Sequence, residues 1–332
     1  MKIQTEGQRI LVVSFSVLII THGREELLLK CLDSLRAAPP FELVLFANGL
    51  PLSHKILDYL SSYPGIVRKE ESPIQLSPGA ARNKALTMVT TEWVHLIDDD
   101  SYWQNGYWQT VSQFLSNEKI DVLGGPDGPA APMSYFQESV SIALSSPLCT
   151  GVTFARHQSL GKTIVSATEE KLTSCNLWIR STLIKAHPFP EDFSRAEETW
   201  LLQGLERAGA RMFYHPLMKV GHYRRKNLFS LVRPTLGAGF WRSRLIRKHG
   251  GRGAMFWMPS IFVLLHLLIF ANPLLVFELA KVYVVMILAV SMGLSSKRNR
   301  FWHFPLVALL HYVIVFLYGT GFLLERGGMK WN

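Results

Sequence analysis

Apolar positions recur along the first 220 residues in two rhythms. Short, nearly continuous runs read as buried strands: Val17–Ile20, Leu43–Phe46, Trp93–Ile97, Asp121–Leu123 and Cys175–Ile179. Between them the spacing turns helical. Glu25–Arg36 sets Leu27, Leu28, Cys31, Leu32 and Leu35 on one face, and Ser53–Ser61, Gly79–Val89, Trp103–Leu115 and Arg195–Ala208 follow the same rule. Strands alternating with helices predict an α/β fold, a mostly parallel sheet flanked by helices on both faces. In such sheets ligands gather at the carboxyl ends of the strands. The run Ile10–Ile20 follows Lys2 and Arg9 and has the length of a signal-peptide core; no small-residue cleavage site comes after it, which favours a strand. Residues 124–170 lose both rhythms. Gly124-Gly125-Pro126 and Gly128-Pro129 interrupt the chain there, and the stretch reads as a mobile substrate loop.

Beyond residue 253 the pattern becomes apolar all round. Met255–Ala271, Leu274–Leu294 and Phe304–Leu324 read as three transmembrane helices, the second and third of a length that crosses about 30 Å of hydrocarbon. Asn272-Pro273 ends the first, and a re-entrant hairpin is its alternative. Ser295–Arg300 is a short basic loop between the last two. Glu278 and Lys281 fall inside the second stretch at a spacing that lets them pair.

Charge sharpens this division. The 332 residues are 48% hydrophobic and 18% charged, which excludes a disordered chain. Ten of the 35 Lys and Arg lie in residues 219–252, which contain no acid, whereas residues 1–218 are mildly acidic. That distribution argues against nucleic acid as a partner. Phe229, Leu231, Val232, Phe240, Trp241, Leu245 and Ile246 interleave with the basic residues, as in a helix lying on an anionic membrane surface. The chain therefore divides into a domain at 1–222, a basic amphipathic linker at 223–253 and a membrane region at 254–332. The positive-inside rule puts the basic band and the basic loop on the cytoplasmic side. Cys31, Cys149 and Cys175 are odd in number and form no CxxC, so they predict neither a disulfide framework nor a zinc site, and a reducing compartment fits.

Four stretches carry candidate chemistry. Asp98-Asp99-Asp100 closes the apolar strand Trp93–Ile97. Three adjacent carboxylates repel unless a cation joins them, and oxygen ligands suit Mg²⁺ or Mn²⁺; a solvated turn or a helix N-cap is the plainer reading, though a cap needs one Asp. In Ser77–Ala85 a glycine opens a helix whose first turns carry Arg82 and Lys84, a phosphate-binding arrangement or an ordinary charged helix face. Glu197-Glu198 opens another helix, either as a dipole-stabilised cap or as a general base. The segment Tyr214–His222 contributes His222, whose case depends on the acidic triplet.

In this order the four stretches resemble the family-2 glycosyltransferases of GT-A fold, over roughly residues 15–225. Val17–Arg24 looks like the family's first strand and nucleotide loop, Gly79-x-x-Arg82-Asn83 like its following helix, and Asp98-Asp99-Asp100 like its DxD motif. Ser174–Arg180 is similar to the strand beside the acceptor, Glu197-Glu198 stands where the family has its Glu-Asp pair, and His222 matches a later histidine of the metal shell. The resemblance implies Glu198 as the catalytic base with Glu197 beside it. It implies donor contacts from Thr21, His22, Arg24, Asn48, Gly79, Arg82, Asn83, Asp98 and Asp99, and Mn²⁺ or Mg²⁺ held by Asp98, Asp100 and His222. Two departures stand out: Ala47 replaces the Asp that usually precedes Asn-Gly, and Glu198 replaces an Asp. Gln-x-x-Arg-Trp, the motif of processive synthases, is absent.

The expectation is an integral protein of the inner or plasma membrane with a cytoplasmic, inverting, metal-dependent transferase domain. It would move a sugar from a nucleotide-sugar, a UDP-sugar first, to a lipid or lipid-linked glycan. A processive polysaccharide synthase subunit and an inactive membrane-tethered binding protein are the alternatives. The oligomeric state, a homo-oligomer included, is left open.

Overall fold

The computed structural model describes residues 13–250 and 254–331; the expectations at 1–12, including Ile10–Val12 of the first apolar run, and at 251–253 lie outside them. In chain order the elements are β1 (Phe15–Thr21), α1 (Glu25–Leu35), β2 (Glu42–Asn48), α2 (His54–Ser61), β3 (Ile66–Ser72) and α3 (Pro78–Thr87). There follow β4 (Trp93–Leu96), β5 (Ser101–Trp103), α4 (Tyr107–Leu115), β6 (Val122–Gly124), β7 (Asp127–Pro129), α5 (Tyr135–Leu144) and α6 (Pro147–Thr150). Next come β8 (Leu177–Arg180), α7 (Ser181–Ala186), α8 (Glu197–Arg207), β9 (Met212–Tyr214) and β10 (Val220–His222). Four long helices close the chain: α9 (Leu228–His249), α10 (Ala254–Leu267), α11 (Pro273–Lys297) and α12 (Phe304–Arg326).

Two compact units emerge, one made of residues up to Gly128 with Ser159–His222, the other of Pro129–Gln158 with Tyr223 onward. The first unit ends at His222, and residues 129–158, inside the expected 1–222 domain, belong to the second.

In the first unit seven strands run in the order β3-β2-β1-β4-β8-β6-β9. The pairs β3-β2, β2-β1, β1-β4 and β6-β9 are parallel; β8 is antiparallel to both β4 and β6. β1 and β2 are apolar throughout because both faces are covered. Val17, Ile19, Leu43 and Leu45 face one core with α1, α2 and α4, while Leu18, Val44 and Phe46 face the other with α3 and α8. A smaller sheet, β5-β10-β7, sits at the strand ends.

Some boundaries differ from expectation. Trp103 does not open a helix: it pairs with Val220 in β5, and α4 begins at Tyr107 after Gly106 turns the chain at φ +79°. Cys175 lies in a short 3₁₀ turn, and the strand begins at Leu177. β3, Ile-Val-Arg-Lys-Glu-Glu-Ser, was not anticipated; as an edge strand it is largely polar and lacks the apolar run that marks a strand.

The second unit replaces much of the expected mobile loop with α5. Its start is a capping box, Ser134 accepting from the Gln137 backbone while the Gln137 side chain accepts from Ser134. Val140, Ile142 and Ala143 of α5 pack with Leu231, Val307, Leu310 and Ile314. The basic linker forms α9, yet Leu231, Phe240, Trp241 and Leu245 are buried inside the unit, not presented as a free apolar face. α9 and α12 run parallel: Leu231 shares a cluster with Leu310 and Ile314, and Ser243 and Arg247 meet Glu325 further along. Glycines let the helices touch. A Cβ on Gly239 would lie 1.9 Å from the Tyr318 carbonyl oxygen, and one on Gly321 2.0 Å from that of Leu236. Two helices, Pro273–Lys297 and Phe301–Arg326, are long and apolar enough to cross a membrane. α10 is not: its 14 residues reach only about 21 Å at 1.5 Å per residue. Of the three expected spans, two thus meet the length of a full crossing, and the first is a shorter apolar helix.

Gly321→Ala tests this contact. Overpacking should cost roughly 1–3 kcal/mol and lower the melting temperature of the detergent-purified chain. Gly293→Ala, with nothing within 4 Å, should be neutral or stabilising. Equal melting of Gly321→Ala and the parent chain would refute the close approach.

Candidate active site

The carboxyl ends of β1, β2 and β4 converge, as the parallel sheet requires. After β4 the chain turns through Asp98-Asp99-Asp100 into β5, with the Ser101 backbone N–H donating to the Asp98 carbonyl at 3.0 Å. Asp99 is fully buried. It accepts from the Thr21 hydroxyl at 2.8 Å and pairs with Arg24 at 2.5 Å. Arg24 also bonds Asp100. Burial pushes the Asp99 carboxyl up to about 6, against the pull of the Arg24 guanidinium.

Arg82 is the second cation. It is buried, and its guanidinium bonds Glu197 on one side and Asp98, at 3.2 Å, on the other. It also donates to the Ser174 hydroxyl at 3.4 Å. Burial opposes its charge, but Glu197 and Asp98 more than restore it. Glu197 is held with its carboxyl above the usual range by burial and by the adjacent Glu198, with Arg82 opposing both. Glu198 is half-buried beside it. Ala196, which precedes the pair, has φ +64°, a left-handed conformation uncommon outside glycine. Such strain persists where surrounding contacts hold it, and functional sites collect it.

His222 ends β10 opposite Ser101 of β5, so the small sheet delivers the ring to the acidic turn. Its Nε2 lies 3.3 Å from Asp100 and its Nδ1 2.9 Å from Asp127. Burial alone would discharge the ring; Asp100 and Asp127 overcome it and raise the imidazolium well above the usual histidine range. Asp98, Asp100 and His222 each offer a donor atom within 4.8 Å of the others. Two carboxylates and an imidazole fit Mn²⁺ or Mg²⁺ by donor type.

The remaining expected donor ligands take other partners. The His22 Nδ1 lies 2.6 Å from the Asn48 carbonyl oxygen. The Asn48 side chain is engaged with the Leu76 backbone in both directions, at 3.0 and 2.8 Å. Gly79 is needed for packing, because a Cβ there would lie 2.2 Å from the Pro190 carbonyl oxygen. Asn83 binds the Phe189 backbone through both its amide atoms, at 2.9 Å each. Gly79 and Asn83 therefore strap α3 to residues 189–191, and Ser77 caps the helix N-terminus from within the chain. Ala47 is fully buried in the core formed with α1 and α2.

Sequence reasoning missed Asp127, which is 2% exposed and lies against His222. The turn Gly124-Gly125-Pro126 brings it there. A Cβ on Gly125 would lie 2.1 Å from the Met218 carbonyl oxygen, so only glycine lets the turn pass.

Residues 16–138 match the model of the glycosyl transferase family 2. The chain is 26% identical over 137 residues to a poly(ribitol-phosphate) beta-glucosyltransferase of Bacillus spizizenii; the match covers 38% of this chain and 22% of that protein. Its fold is similar to that of a mannosyltransferase of Pyrobaculum calidifontis solved with GDP-Man and Mn²⁺, with 13% identity, a TM-score of 0.62, and coverage of 91% of this chain and 88% of that one. Residues 1–349 of S. aureus TarS with UDP-GlcNAc align at 16% identity and a TM-score of 0.48, over 96% of this chain and 93% of that one. Residues 16–138 thus match the glycosyl transferase family 2, in a chain whose fold is similar to that of GT-A glycosyltransferases and which ends in long apolar helices.

Proposed function

We propose that this protein is a membrane-anchored, inverting glycosyltransferase. It takes a sugar from a nucleotide-sugar donor, a UDP-sugar first, and transfers it to a lipid or lipid-linked glycan. The observation that carries the reading is Arg82: a single buried guanidinium joins Glu197, at the start of α8, to Asp98 of the acidic turn. The candidate base and the candidate diphosphate site are thereby held side by side.

The residues that would hold Mn²⁺ or Mg²⁺ are Asp98, Asp100 and His222, and the ion would supply positive charge for the diphosphate leaving group. Arg24 keeps Asp99 and Asp100 oriented from the β1–α1 loop. Glu197 is fixed by Arg82, and Glu198, the next residue along α8, is the proposed base that meets the acceptor. With a hydroxyl acceptor, Glu198 takes the proton as the acceptor oxygen bonds to the anomeric carbon. The bond from that carbon to the phosphate oxygen breaks, and the nucleoside diphosphate leaves with the electron pair. Base assistance of this kind contributes typically ~10²–10⁴-fold. The β-glucosyltransferase relative, named for a poly(ribitol-phosphate) acceptor, and the neighbour solved with GDP-Man support a nucleotide-sugar donor and a glycopolymer or lipid-linked acceptor here. The exposed apolar surface of α11, with Leu274, Val282 and Val285 each more than two-thirds exposed, supports insertion in a bilayer.

Glu198→Gln should lower transfer by about 10²-fold or more while nucleotide binding is kept. Unchanged turnover would remove Glu198 from the base role. Thermal shifts with UDP, GDP, CMP and TDP, each with and without Mn²⁺, should show a metal-dependent rise with one of them. Asp100→Ala should abolish that metal dependence; a shift still stimulated by Mn²⁺ would refute its assignment. Alkaline carbonate washing of membranes should leave the chain in the pellet, and release into the supernatant would overturn the integral anchor.

A further inference from the structure

The stretch Gly124-Gly125-Pro126-Asp127 reads in sequence as a break, yet it places a buried carboxylate directly behind His222. β7 begins at Asp127 and neighbours β10, which ends at His222, while β5 on the other side of β10 follows Asp100. The three strands set the imidazole between two carboxylates. Its Nδ1 lies 2.9 Å from Asp127 Oδ2, and its Nε2 lies 3.3 Å from Asp100 Oδ1. Cys175 donates its thiol to the same Asp127 oxygen at 3.7 Å. Two of the glycines that permit this have no room for a side chain: Gly125 against Met218, and Gly221 against the Tyr102 ring, whose Cζ would lie 2.4 Å from a Cβ.

We infer that Asp127 is a positioning residue for the cation site: by accepting Nδ1–H of His222 it fixes the ring orientation and presents Nε2 to the space it shares with Asp98 and Asp100. A ring nitrogen can ligate a cation only once it has given up its proton; with Asp127 holding the proton on Nδ1, Nε2 is the nitrogen that would exchange its proton for the cation. A carboxylate behind a ligating histidine also makes the ring a better donor. Cys175 donates to the same carboxylate oxygen. This inference rests on the reading of Asp98, Asp100 and His222 as metal ligands, and the experiment separates the two.

The measurement is Mn²⁺ binding to the detergent-purified full chain, followed by electron paramagnetic resonance of free Mn²⁺, without nucleotide. Asp127→Ala should weaken binding about 10- to 100-fold, as loss of a carboxylate behind a ligand does elsewhere. Asp127→Asn, which keeps an acceptor oxygen without the charge, should fall between the parent and Asp127→Ala. His222→Ala should weaken binding as well, and adding Asp127→Ala to it should cost nothing further. Imidazole ¹⁵N shifts of the chain loaded with diamagnetic Mg²⁺ should report protonated Nδ1 and unprotonated Nε2 in the parent, with a mixture in Asp127→Ala; that tautomer readout is one a purely structural role would leave unmoved. If Asp127→Ala does not fold, Asp127→Asn and its ¹⁵N shifts decide. Parent-like Mn²⁺ affinity in the Asp127 variants, alongside weakened binding in His222→Ala, would overturn the role of Asp127 and leave the metal reading standing. Failure of the parent chain to bind Mn²⁺ would overturn both.

Discussion

Three consecutive carboxylates at the end of one strand set the terms for everything around them. At a separation of about 4 Å two like charges repel by roughly 4 kcal/mol at an effective dielectric of about 20, so the turn is tolerable only with cations built against it. The chain supplies three from widely separated positions: Arg24 on Asp99 and Asp100, Arg82 on Asp98, and His222 on Asp100. Each comes from a different element, and each ties its element to the turn. The loop after β1, the helix α3 and the end of β10 are thereby brought to one place by charge as well as by packing. The same arrangement leaves one acid, Asp99, wholly internal, and brings donor atoms of Asp98, Asp100 and His222 within 4.8 Å of one another.

How far the sequence was legible follows from this. β1 and β2 were plain because burial on both faces forces continuous apolar runs. β3 was hidden because an edge strand need not be apolar, and β5, β7 and β10 because three residues carry no periodicity. That Asp98, Asp100 and His222 come together was readable from residue type and order. Asp127 was not, because the glycines that deliver it look the same as glycines in any loop. Gly79 and Asn83 show the opposite case. They stand in a helix start suited to phosphate, yet here they secure α3 against residues 189–191. The capping box at Ser134 and Gln137 was a signal in plain sight that would have exposed α5.

In the second unit, composition and packing point to different roles for one segment. The basic band looks like a surface helix by its charges, but α9 buries its apolar face beside α12 through glycine contacts. Helices that approach this closely gain dispersion contacts, and side chains of ordinary size at Gly239 or Gly321 would exclude them. Glu325, buried in α12, is met by Ser243 and Arg247 of α9, so the pair of helices also shares a polar lock. Basic residues here belong partly to helix pairing, a use that net charge cannot reveal.

The small sheet has a consequence for the order of assembly. Its strands are three residues each and pair Ser101 with His222, positions far apart along the chain, with Asp127 drawn in from between. Closing so long a loop for so few hydrogen bonds is unfavourable until the larger sheet has already brought the ends near. During synthesis the parallel strands can therefore form around their apolar core while the acidic turn still lacks its histidine. The last part of this unit to be made is the part that completes the site, so a chain released before residue 222 would be a folded sheet without its chemistry.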